Sequence, residues 1–62
     1  MNSCLNEVIV FYDHGFKCIK YEHNSDGSLV IYLKNFENEK AHTLCCNDKK
    51  EIKEIKDYID LN

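Results

Sequence analysis

Proline, tryptophan and arginine are absent from this 62-residue chain, and glycine occurs only twice. With Gly15 and Gly27 alone, no glycine-rich phosphate-binding loop can be built. No repeat, linker or low-complexity tract divides the chain, so one small domain spanning 1–62 is expected. No segment approaches the roughly 18 apolar residues that span a bilayer. The short run Val8 to Tyr12 has no basic residue before it and is too brief for a secretion signal. These gaps point to a reducing cytoplasm and no membrane partner. The four cysteines Cys4, Cys18, Cys45 and Cys46 form no C-x-x-C pair, which removes the strongest zinc and redox patterns. In a reducing compartment they read as small, apolar thiols.

What is present suits a soluble globular protein. Hydrophobic residues make up 44% of the chain, and 8 lysines stand against 11 acids for a net charge of -3. A chain this short builds a single small core.

The first segment has the β-branched and aromatic composition of a strand, yet its period is helical. At about 100° per residue, Cys4, Leu5, Val8, Ile9, Phe11 and Tyr12 fall within one arc. Polar residues fill the other arc, and only Val10 breaks the division. Ser3 suits an N-cap, and Gly15 suits the left-handed position of a Schellman ending, with Phe16 reaching back to Phe11. The prediction is a helix over 4–14.

From Phe16 the period becomes two. Ile19 and Tyr21 share one face of a strand over 16–23, with Cys18, Lys20 and Glu22 on the other. Leu29, Ile31 and Leu33 mark the buried face of a strand over 28–35. A three-residue loop Ser25-Asp26-Gly27 pairs Asn24 with Ser28, Tyr21 with Ile31 and Ile19 with Leu33, whereas a two-residue loop would set apolar against polar faces. Residues 40–46 form the third strand, with Leu44 inward, flanked by His42 and Cys46. Asp48 then caps a helix over 49–60, with Glu51 placed for a capping box and Ile52, Ile55 and Ile59 on one stripe. The fold class is α+β, an αβββα domain whose three-stranded antiparallel meander carries both helices on one face. The other face holds Val30 and Tyr32 at its centre, ringed by charges, the composition of a modest contact surface.

The residues argue against chemistry. His14, Cys18, His42, Cys45 and Cys46 include His42-x-x-Cys45, but alternation sends those two side chains to opposite faces, and Cys18 and Cys45 lie two strands apart. No metal site, cofactor or enzymatic activity is expected, since 62 residues offer no evident oxyanion site or substrate cleft.

Two resemblances suggest binding functions. The αβββα order is similar to the double-stranded RNA-binding domain, as are Leu5-Asn6-Glu7 and Lys49-Lys50-Glu51-Ile52-Lys53, the latter near that family's Lys-Lys-x-Ala-Lys. The resemblance implies that Lys49, Lys50 and Lys53 meet phosphates across the major groove and that Glu7 faces the minor groove. The family's Gly-Pro-x-His loop is replaced here by Asn24-Ser25-Asp26-Gly27, and Ile52 stands where alanine is usual. In size, acidity, richness in Asn, Lys, Ile and Glu, and lack of Trp and Pro, the chain also resembles phage-encoded anti-CRISPR inhibitors. That resemblance implies a larger host protein as partner, docked through its basic nucleic-acid-binding surface. Glu22, Asp26, Glu37 and Glu39, at or near the two hairpins, are the contacts that would meet those basic groups, with Tyr32 between them. RNA binding is the alternative. A third class is a homodimeric module joined through the Val30 and Tyr32 face.

Overall fold

The computed structural model describes residues 3–62. Helix α1 spans Cys4–Asp13, strands β1, β2 and β3 span Lys17–His23, Leu29–Asn35 and Lys40–Cys46, and helix α2 spans Lys49–Leu61. The sheet order is β1-β2-β3 with antiparallel neighbours, so the α+β meander expected from the sequence is the observed fold. Strand β3 has the expected bounds, and the other four elements each differ from theirs by one residue at one end. His14, for example, is the C-cap of α1. Among the described residues no helix is long and apolar enough to cross a membrane.

Periodicity prevailed over β-propensity in α1. Val8 is fully buried while Val10, the residue that broke the pattern, is 46% exposed. Ser3 Oγ accepts from the Asn6 N–H at 3.0 Å, which closes the N-terminus. At the other end Phe16 N–H donates to Phe11 O at 2.9 Å and Gly15 N–H to Tyr12 O at 3.2 Å, the two bonds of a Schellman motif. Gly15 makes this possible by adopting φ +88°. The Phe11 and Phe16 rings then meet edge to face, 5.0 Å between centroids.

The first hairpin forms as the side-chain pattern requires. Asn24 N–H donates to Ser28 O at 2.9 Å, and Gly27 takes φ +90°. Tyr21 pairs with Ile31. Further along, alternation fails: Cys18, not Ile19, pairs with Leu33, because a bulge inserts one extra residue between Cys18 and Lys20. Ile19, expected in the core, is 52% exposed. Cys18, expected on the outer face, packs against the core instead. Strict alternation from Ile19 would have turned Lys17 toward the helices. The bulge switches the parity, so Phe16 and Cys18 join the core cluster and Lys17 stays exposed. Two bonds hold the switched segment: Tyr12 Oη accepts from the Cys18 N–H at 3.2 Å, and Cys18 Sγ donates to Lys20 O at 3.3 Å.

Central strand β2 alternates strictly, with Leu29, Ile31, Leu33 and Asn35 buried. Val8 of α1, Ile52 and Ile55 of α2 and Cys46 of β3 complete the buried cluster. Opposite β2, Leu44 pairs with Ile31, His42 with Leu33 and Cys46 with Leu29, which settles the inward face of β3 as expected. His42 stacks on Phe11 at 4.5 Å between centroids, so that face of β3 lies under α1. The helices run parallel: Cys4 adjoins Glu51 near their starts, and Tyr12 meets Tyr58 near their ends, 5.2 Å between centroids.

Asn35 is the buried polar residue of β2, 4% exposed. Its Oδ1 accepts from the N–H groups of Glu37 and Asn38 at 3.0 and 3.1 Å, and its Nδ2 donates to His14 O at 3.2 Å. It therefore ties the β2–β3 turn to the end of α1.

Replacing Asn35 by Ala leaves these groups unpaired and should cost about 2–3 kcal/mol in urea denaturation. In the same measurement Leu33→Ala should cost about 2–5 kcal/mol. Ile19→Lys should change stability by less than about 0.5 kcal/mol, the outcome that separates the bulged register from plain alternation.

Candidate protein-binding face and thiol–carboxylate cluster

No described residue packs over the face of the sheet away from the helices, whose side chains are exposed or partly exposed. Register places Lys20 and Glu22 of β1, Val30, Tyr32 and Lys34 of β2, and Ala41, Thr43 and Cys45 of β3 on it. Tyr32 sits at its centre, paired with Lys20 on one side and Thr43 on the other, and is partly buried along with Val30. The Lys20 ammonium lies 4.9 Å from the Tyr32 ring centroid and 3.2 Å from Glu22 Oε1, which links acid, base and ring in a row. Beyond Lys34, whose Nζ stands 5.2 Å from the Phe36 ring, Phe36 itself is 62% exposed. The sequence signal for Phe36 is an aromatic residue inside an otherwise polar turn.

The five residues expected to meet a partner are not gathered into one patch. Glu22 and Tyr32 share the open face. Asp26 lies in the β1–β2 turn, and Glu37 and Glu39 lie in the β2–β3 turn, so the length of β2, roughly 20 Å for seven residues, separates them. Asp26 is also occupied. Its Oδ1 accepts from Ser28 Oγ at 2.7 Å and from the Ser28 N–H at 3.0 Å, and these bonds hold its carboxyl below the usual range. Glu37 and Glu39 are exposed, Glu39 with φ 55°. The open face itself carries Lys20 and Lys34 against Glu22, so acidity belongs to the turns rather than to the sheet surface.

Lys49, Lys50 and Lys53 are exposed on the first two turns of α2, and Glu7 is exposed on α1. Asp48 caps α2, accepting from the N–H groups of Lys50 and Glu51 at 2.9 and 3.2 Å. Only this half of the expected capping box forms.

The Glu51 carboxylate instead crosses to α1. Its Oε2 accepts from the Cys4 N–H at 3.3 Å, satisfying a donor that α1 leaves open at its start. The same oxygen accepts a long bond from Cys46 Sγ at 3.7 Å. Cys4 Sγ, Cys46 Sγ and a Glu51 oxygen all lie within 4.8 Å of one another. The thiols thus stand closer than the separation of the cysteines along the chain suggests. Adjacency in sequence was no guide either, since Cys45 is exposed on the open face while its neighbour Cys46 is buried. His42 and Cys45 do point to opposite faces. Burial, then the neighbouring Cys46 and Glu51, push the Cys4 thiol up from 9.0 to about 12. Burial also raises Cys18 and Tyr12. Among the described residues the surface has no cavity.

The shift of Cys4 has a stability consequence. A thiol that holds its proton more tightly when folded contributes stability fully present below pH 9.0 and lost as pH rises toward about 12. Unfolding free energy should therefore fall across that window, and Cys4→Ala should flatten the alkaline limb in a pH series of urea titrations. At the acid end the sign reverses: stability from Asp26 is present above its ordinary value of 3.8 and lost as pH falls below it. Comparison with protein families, with curated proteins and with solved structures finds no match to this chain.

Proposed function

We propose that this chain is a small non-enzymatic inhibitor or modulator, a phage-type anti-defence protein that docks on the basic, nucleic-acid-binding surface of a larger host protein. The observation that carries the reading is the uncovered sheet face, with Tyr32 and Val30 at its centre and charged side chains around them. An aromatic anchor inside a polar rim is the usual anatomy of a protein interface. Glu37 and Glu39, exposed at one end of the strands, and Glu22 beside Tyr32 supply carboxylates for Lys or Arg of the partner. Asp26 serves the turn first and contributes its charge only at long range.

The test is capture of a partner from bacterial lysate, followed by competition with duplex DNA. The reading expects a partner displaced by DNA and by salt, with affinity lowered about tenfold or more by Tyr32→Glu and by the pair Glu37→Lys/Glu39→Lys. Direct, salt-dependent RNA binding of the pure chain, lost on Lys49→Glu/Lys50→Glu, would overturn it in favour of the RNA-binding alternative. A homodimer in sedimentation that dissociates with Tyr32→Glu would assign the open face to a second copy instead.

A further inference from the structure

On the helix side of the sheet, away from the proposed docking face, we propose that Cys4, Cys46 and Glu51 form a binding site for a thiophilic divalent cation of the zinc class. Each ligand comes from a separate element: Cys4 opens α1, Cys46 ends β3, and Glu51 lies in the first turn of α2. Their ligand atoms already lie within 4.8 Å of one another, and Cys46 Sγ stands 3.7 Å from Glu51 Oε2. Tetrahedral zinc bound by two sulfurs and one oxygen sets its ligand atoms about 3.5–3.8 Å apart, so closing the site draws them together by about 1 Å at most.

The electrostatics favour a cation. Two thiols and a carboxylate are crowded at a site where Cys46 is buried and Cys4 and Glu51 are partly buried. Cys46 Sγ already points its hydrogen at Glu51 Oε2, 3.7 Å away. A divalent ion displaces both thiol protons to solvent and leaves two thiolates and a carboxylate around a charge of +2. The soft sulfur pair selects zinc, cadmium or cobalt over magnesium or calcium. Three protein ligands leave the fourth position for water, on the Cys4 side, which is not fully covered. The site would clamp α1 to the β3–α2 junction, contacts that the sheet ladder does not supply.

Cobalt(II) is the probe, titrated into the full chain under an oxygen-free, non-thiol reductant. The expected result is thiolate-to-cobalt charge-transfer absorption that saturates at one ion per monomeric chain, is displaced by zinc, and accompanies a rise in Tm. Cys4→Ser, at a partly buried position, should abolish the band while circular dichroism shows the fold intact. Glu51→Gln should weaken affinity by about tenfold or more. Cys45→Ser and Cys18→Ser should leave both band and stoichiometry unchanged. The proposal is overturned by absence of the band in the folded wild-type chain. It is equally overturned by a band that survives Cys4→Ser, or by one ion shared between two chains and lost with Cys45→Ser.

Discussion

One-sided burial of the central strand is the constraint on which this structure rests. Leu29, Ile31 and Leu33 are almost fully removed from water on one face of β2, while Val30, Tyr32 and Lys34 remain partly exposed on the other. Each buried aliphatic side chain contributes roughly 1.5–3 kcal/mol of transfer free energy, and the chain has few others as deeply covered. Both outer strands must therefore match the register of β2. In β3 plain alternation achieves this. In β1 it would turn a lysine inward, and the extra residue at Ile19 resolves the conflict.

Two polar side chains join parts that hydrophobic burial leaves unfixed. Asn35 continues the inward row of β2 but carries an amide, which links the β2–β3 turn to the carbonyl of His14. Glu51 leaves its own helix cap to receive the Cys4 N–H of α1. Both are tolerated because their partners satisfy them; among the described residues no buried side-chain nitrogen or oxygen lacks a hydrogen bond. Gly15 adds a steric condition. A Cβ there would lie 3.3 Å from Asn35 Nδ2, so the left-handed helix end and the buried amide fit one another.

The two faces of the sheet separate two chemistries. The open face offers an aromatic centre and a lysine–glutamate pair, with acidic turns beyond its two ends, and the docking proposal rests on these. The covered side brings two thiols and a carboxylate to the meeting point of three elements. Neither proposal depends on the other, since no side chain is shared between them.

Much of the fold was legible in local sequence. Ser3, Gly15 and Phe16 specified both ends of α1, Asn24 to Ser28 specified the first turn and the pairing from there back to Tyr21, and Ile52 and Ile55 specified the buried stripe of α2. The bulge left a weaker mark: apolar positions change parity between Phe16 and Cys18 on one hand and Tyr21 on the other. The candidate docking residues were legible as residue types but not as a constellation, because a meander places successive turns at opposite ends of its central strand. By itself the sequence determined periodicity, caps and turn chemistry, which depend on neighbours within a few positions. Only tertiary structure decided that Cys4, Cys46 and Glu51 converge and that Ile19 is expelled, since both outcomes follow from packing separate elements against one buried strand face.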